Sequence, residues 1–332
     1  MTLALCLLGY SALVCVAGPA ILTRLTAHGS VPALGVAAWL AAVVAVLGTW
    51  VGASVALAVQ VAHTWDLPMA HLLGECVVAM HATADGGHGP FAQLAAAVSA
   101  LALIGFVAAR GIRVVRGLVL ARSTSVRHAR SAAMVGRRLT GAERTGTTAT
   151  VVIDAPQKAA YCVAGRPGAV VVTSAAVAAL DAPQLAAVLA HEDAHLTGRH
   201  HLIRASTRAL AGALPFVPLF AAADAQVAQL LEMCADDRAA GRHSRTAILT
   251  ALLTLADPAG NHTAHDLPDA ALGTSTLAVT ARVGRLLDPE SRLRRTGRGV
   301  PLAGFAAVVA VLPTSGLLLI EAGVAGCLPF VH

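Results

Sequence analysis

Two histidines four residues apart, His191 and His195, flank Glu192 in the run His191-Glu192-Asp193-Ala194-His195. On a helix, residues four apart share one face, with about 6 Å between their Cβ atoms. That reach lets two imidazoles hold one Zn²⁺ at about 2.0–2.1 Å per nitrogen. Glu192, next to the first histidine, is placed beside the ion and not on it. Zinc makes water acidic near neutral pH, and a neighbouring carboxylate can take the proton. The pattern H-E-x-x-H therefore predicts a hydrolytic zinc site, with His191 and His195 as ligands and Glu192 as base. His200 and His201 read as polar surface residues.

A catalytic zinc site needs a third protein ligand. Glu232 and Asp236 are also four apart, in Leu231-Glu232-Met233-Cys234-Ala235-Asp236. Glu232 can complete a His₂Glu set, and Asp236 can accept the spare N–H of a ligand imidazole and fix its tautomer. An acidic turn paired with Arg238 and Arg242 is the other reading of that spacing. Cys234 reads as core packing.

These residues need helices to hold them. The first spans about 182–197, with Asp181 as N-cap, Pro183 in the first turn, Gln184 completing a capping box and Gly198 closing the end. The second spans about 224–240, with Asp224 as cap and Gly241 beyond it. Before them, Thr147–Ile153, Ala159–Val163 and Ala169–Thr173 are β-branched, strand-like runs. The turn Gly165-Arg166-Pro167-Gly168 joins the last two, and an antiparallel sheet is predicted.

The rest of the chain is not that of a soluble enzyme. Of 332 residues, 56% are apolar and only 13% charged, against roughly 25% charged in soluble domains. Such hydrophobicity also excludes disorder. Four apolar runs reach the length of about 20 residues that crosses a bilayer: about 3–23, 34–60, 89–109 and 301–323. The first lacks a basic n-region and a clear cleavage site, so it reads as a retained helix. The net charge is +6, and 23 of the 24 Lys and Arg residues lie between Arg110 and Arg298. The loop 61–88 has none. Positive loops mark the cytoplasmic side. Residues 1–109 thus form three spans, 110–298 one cytoplasmic domain and 299–332 a last span with a short outer tail, both termini outside. The basic stretch 110–140 reads as a helix continuing span three near anionic headgroups, or as a solvated linker helix. The basic part carries almost no aromatic residues for base stacking, so no direct nucleic-acid partner is expected.

The segment 207–223 is apolar enough for a fifth span. A single crossing there would put Glu232 and the histidines on opposite sides of the membrane. It must therefore be buried, re-entrant at Pro215 and Pro218, or interfacial. In the outer loop, His63, His71, His81 and His88 read as polar loop residues or as a metal sensor. Cys76 and Cys327 are both outside and able to pair, while the remaining cysteines give no framework.

Tyr161-Cys162-Val163-Ala164-Gly165, Val170-Val171-Val172-Thr173-Ser174, Ala187-Val188-Leu189-Ala190-His191-Glu192-x-x-His195 and Glu232-x-x-x-Asp236 together resemble the BlaR/MecR-type membrane zinc metallopeptidases. They are similar, more distantly, to the HtpX-type membrane proteases. The resemblance covers about 145–290 closely. It implies an α-helical membrane protein with an inserted small α+β zinc-metallopeptidase domain, with Glu232 as third ligand and Glu192 as base. It also implies an edge strand, expected at 169–173, that holds substrate backbone in β-fashion. The roles it suggests are cleavage of a BlaI-type repressor, quality control of membrane proteins, or, without catalysis, a metal-dependent sensor or pseudoprotease. Only about nine residues follow the last span, so a penicillin-binding sensor domain is not expected. The related enzymes often carry a histidine shortly before an R-x-x-R/L segment that steadies the oxyanion. Here Ala281-Arg282-Val283-Gly284-Arg285-Leu286 has none close upstream, and His243, His262 and His265 remain unranked.

Overall fold

The computed structural model describes residues 2–64, 90–139, 149–165, 168–256, 276–288 and 291–326. Its helices are α1 (Thr2–Thr26), α2 (Pro32–Thr64), α3 (Pro90–Val135), α4 (Ser174–Ala179), α5 (Ala182–Thr197), α6 (His200–Ala213), α7 (Pro218–Ala240), α8 (Arg245–Leu255), α9 (Thr276–Leu287) and α10 (Arg292–Gly326). Its strands are β1 (Arg137–Arg138), β2 (Ala149–Ile153), β3 (Ala160–Val163) and β4 (Ala169–Thr173).

Helices α1, α2, α3 and α10 are long and apolar enough to cross a membrane, and they contain the four predicted runs. With no polar face, such helices stay apolar on the outside too. Leu13, Val16, Leu101 and Val311 are all exposed, as a lipid-facing surface requires. Helix α2 is central and packs on α1, α3, α7 and α10. Trp39, Val46 and Leu22 from the spanning helices are buried with Leu214, Phe220 and Val227 in one core. The basic stretch after span three is helical. Helix α3 runs unbroken from Pro90 to Val135, about 69 Å at 1.5 Å per residue. It leaves the apolar zone and ends against the sheet.

The segment 207–223 is not one helix. It breaks at Leu214–Val217, between α6 and α7, where Pro218 opens the new helix. A proline suits the first turn of a helix, where its missing N–H has no intrahelical acceptor. The break is pinned to α3: Arg110 donates to the Ala213 carbonyl at 2.9 Å and stacks between Phe106 and Phe216. The chain thus turns back, and α6 and α7 pack against each other. Helix α7 begins six residues earlier than expected, so Asp224 is not its cap. Asp224 lies inside the helix and accepts from the Thr207 hydroxyl at 2.8 Å and approaches Arg204 at 3.5 Å, tying α7 to α6.

The sheet has the order β1-β2-β4-β3 and is mixed, not antiparallel. β2 and β4 pair in parallel, Val151 opposite Val171; β3 and β4 pair antiparallel, Tyr161 opposite Val171. The reason lies in the apolar content of β4. Val170, Val171 and Val172 are all buried, so this run takes the centre and β3 is displaced outward. The expected substrate edge at 169–173 is corrected with it. β4 has neighbours on both sides, and among the described strands the edges are β1 and β3, of which β3 lies beside α5. Helix α5 covers one face through Leu185, Val188 and Leu189; the end of α3 covers the other through Ala129 and Ala132. The readings on His71, His81, His88, His262, His265, Cys76 and Cys327 fall outside the described residues, as does the side chain of His63.

Candidate metal centre

Helix α5 starts as its sequence predicts. The Asp181 carboxylate accepts from Gln184 N at 2.8 Å, and Gln184 Oε1 accepts from Asp181 N at 3.0 Å. Its apolar stripe is fixed by the sheet, so the opposite stripe, with His191 and His195, faces α7. Helix α7 buries Leu230, Leu231 and Met233, and this turns Glu232 and Asp236 toward α5.

The resulting cluster is compact. His191 Nε2 and His195 Nε2 are 3.2 Å apart. Glu232 Oε2 is 3.5 Å from His191 Nε2, and Oε1 is 3.5 Å from His195 Nε2. A tetrahedral ion with ligands at about 2.0–2.1 Å sets its donors about 3.3–3.4 Å apart. The two imidazole nitrogens and a Glu232 oxygen therefore stand near the corners of such a tetrahedron, and the set fits a zinc ion.

Both spare imidazole nitrogens point away from the cluster, each toward a polar neighbour, although the alignment of His191 Nδ1 falls short of a hydrogen bond. His191 Nδ1 is 3.0 Å from Asp236 Oδ1. His195 Nδ1 is 2.9 Å from His200 Nδ1. With each Nδ1 carrying the proton, each Nε2 presents a lone pair to the cluster. His200 is thus corrected from a surface residue to a buried one. Its place depends on Gly198: a Cβ there would overlap the His200 ring. The chain then turns through Arg199 in a left-handed conformation, φ 52°, and starts α6 with the imidazole folded back under α5.

Arg282 of α9 was passed over in the sequence except as part of an R-x-x-R segment. Its Nε and Nη2 each donate to Asp236, at 2.7 Å to Oδ2 and Oδ1, and its Nη1 is 3.2 Å from Glu232 Oε2. Asp236 is 1% exposed and the Arg282 side chain 6%. A planar guanidinium suits two carboxylates at once. Neither Arg238 nor Arg242 takes this role; Arg242 lies 3.8 Å from Asp193. Cys234, on the far side of α7, packs against the apolar core.

The electrostatics follow from burial and from these partners. Burial alone would raise the Asp236 carboxyl, but the Arg282 fork and His191 hold it well below the usual range. Glu232 is likewise lowered against its burial, by His191, His195 and Arg282. Burial lowers His195. His191 is raised against its burial by Asp236 and Glu232. Glu192 differs: burial pushes it up to about 7, with the cluster's positive groups and the Cys162 backbone N–H opposing the rise. A carboxyl poised there suits general base work at neutral pH. That N–H sits on β3, so this edge of the sheet borders the cluster.

The comparisons agree with the geometry. No curated protein and no solved structure matches the chain. Residues 125–259, which carry His191, Glu192, His195, Glu232 and Asp236, match the model of Peptidase family M48. Arg282 lies beyond that match. Beside the membrane bundle, the inserted α/β domain thus matches an M48-type peptidase domain, and its His–His–Glu donor set supports a zinc-dependent metalloendopeptidase.

Proposed function

We propose that His191, His195 and Glu232 hold a Zn²⁺, that Glu192 is the catalytic base, and that the domain 110–298 cuts a protein substrate on the cytoplasmic side of the membrane. The observation that carries the reading is the convergence of three ligand atoms beside a carboxyl with a raised pKa. A bound zinc supplies Lewis-acid polarisation of the scissile carbonyl and acidifies the attacking water. Glu192 accepts the proton of that water and passes it to the leaving amine. The Cys162 N–H steers the Glu192 carboxylate. Asp236 and His200 hold the imidazoles of His191 and His195 in their metal-binding tautomer, and Arg282 keeps Asp236 and Glu232 ionised. The free edge of β3 receives the substrate backbone in β-fashion.

The cellular role we infer is signal-dependent cleavage of a transcriptional repressor of the BlaI type. Support comes from the short turn between α1 and α2, which touches the site helix directly. Arg285 Nε donates to the Gly29 carbonyl at 2.9 Å, and Arg285 also pairs with Asp237, one residue past Asp236. Movement between two membrane helices thus reaches α7 in one step. The test is substrate trapping with full-length Glu192→Gln in the native membrane. Capture of a DNA-binding repressor supports the role. Capture of misfolded membrane proteins replaces it with quality control of the HtpX type. If Glu192→Gln leaves the biological output unchanged, the chain acts by binding and not by cutting.

A further inference from the structure

Behind the metal-binding face lies a cavity of about 810 Å³, between the starts of α2 and α10 and the outer side of α7. It is separate from the Glu192 side, which faces β3. One wall is apolar and comes from two membrane-spanning helices: Val31 and Leu34 of the α2 start, Val300 and Ala303 of α10. Basic side chains also line the cavity. They are Arg238 and Arg295, and neither has an acidic partner among the described residues. The Arg295 Nε is buried without a hydrogen-bond partner. Asp237 also lines the cavity, but its charge is matched by Arg285. The first turn of α2 opens into the same space. Its leading N–H groups have no intrahelical acceptor, and the end of a 33-residue helix favours an anion.

A cavity with anion-binding groups and a hydrocarbon wall, at the rim of a membrane bundle, has the chemistry of a charged lipid. We propose that it binds one anionic phospholipid, with the phosphate among Arg238, Arg295 and the α2 start and the acyl chains along α2 and α10. Neutral lipids lack the net charge that two unmatched arginines call for, and a soluble anion leaves the apolar wall bare. His200 forms part of the lining and contacts His195. The lipid would therefore sit one side chain away from His195.

The test uses the full-length protein in detergent, titrated with phosphatidylglycerol, phosphatidylcholine or inorganic phosphate, with bound lipid counted by native mass spectrometry. Phosphatidylglycerol is expected to bind one per chain and to resist delipidation. Arg238→Gln/Arg295→Gln is expected to weaken it at least tenfold. Arg113→Gln/Arg116→Gln, on the exposed face of α3, removes the same charge elsewhere and should change binding less than twofold. Ala303→Trp fills space at the apolar wall, keeps both arginines, and should also weaken binding at least tenfold. Equal retention of phosphatidylcholine overturns the proposal. So does equal loss in the α3 control, or competition by inorganic phosphate at millimolar concentration.

Discussion

Asp236→Asn separates the two tasks of the buried carboxylate. Asp236 accepts two hydrogen bonds at 2.7 Å from Arg282 and faces His191 Nδ1 at 3.0 Å. An asparagine keeps one oxygen and turns an NH₂ group toward a donor, so at least one of the three contacts becomes donor against donor. Removing one partner of a buried pair costs about 3–5 kcal/mol. Glu232 Oε2, at 3.2 Å from Arg282, still offers that cation an acceptor, which places the loss near the low end, about 3 kcal/mol. The metal suffers separately. Losing the outer partner of a ligand histidine weakens metal binding about 10–100-fold, or about 1.4–2.7 kcal/mol. Zinc affinity is read by competition with a chromophoric chelator, and stability by denaturant unfolding of the metal-free protein. The double variant Asp236→Leu/Arg282→Met replaces the ion pair by apolar volume and should regain stability while still binding zinc weakly. Zinc affinity within twofold of wild type in Asp236→Asn refutes the tautomer role. Recovery of both quantities in the double variant refutes the separation.

Three further outcomes follow from the same geometry. Protein saturated with zinc at about 100 times its Kd gains about 2.7 kcal/mol, or roughly 5–11 °C for a domain of 150–250 residues; chelation should lower the melting transition by that amount, and an unchanged transition contradicts the metal centre. Glu192 must be deprotonated to act, and burial raises its pKa from 4.5 to about 7, so activity should fall as the medium becomes more acidic. A bound cation favours the carboxylate, so the midpoint of the acidic limb of kcat/KM should lie between 4.5 and about 7; a midpoint above that range would assign the limb to another group. Gly29 has φ +58°, and a Cβ there would overlap Met233 Sδ, so Gly29→Ala should lose about 1–2 kcal/mol from the left-handed strain alone, plus the displacement of Met233. Gly29→Ala should also slow proteolysis, adding Met233→Ala should return part of the rate, and no rescue would mean that the turn does not act through α7.

The legible parts of the site are those with local physics. The capping box at Asp181 and Gln184 and the four-residue spacings of His191/His195 and Glu232/Asp236 are properties of single helices, and each needs only its own neighbours in sequence. For 207–223, the expectation that it does not cross once came from chemistry and not from hydropathy, since two halves of one donor set would have to share one side of the membrane. The sequence alone does not choose between a buried, a re-entrant and an interfacial segment, and the break at Leu214–Val217 is what the structure adds. The hidden parts depend on distant partners. Arg282 lies 46 residues beyond Asp236, and the acids' demand for a cation led only to the nearby Arg238 and Arg242. His200 looked solvated because nothing in its own run buries it; the clue was Gly198, the one residue type that lets the ring fold under α5. The sheet order was missed because adjacent strands in sequence suggest adjacent strands in space, whereas the burial of Val170, Val171 and Val172 selects the centre.

Under the proposed function, the same separation gives membrane events a route to the site. The two Nε2 atoms and Glu232 are held from outside by Asp236, His200 and Arg282, and these holders or their neighbours lie next to parts that belong to the bundle. Arg285, one turn beyond Arg282 on α9, reaches the α1–α2 turn at Gly29. His200 borders a cavity walled by α2 and α10. Helix α7 carries Glu232 on one face and packs on α1 and α2 with another. A tilt of α2 that leaves the α5 donors in place would therefore shift Glu232 against them. Zinc ligands tolerate little such movement, since the donor separations of 3.2–3.5 Å already match the tetrahedral spacing. Under the proposed function, Glu232 is thus the group through which membrane events would switch the site, because it is held by the helix that meets the bundle, while the histidine pair is held by the sheet.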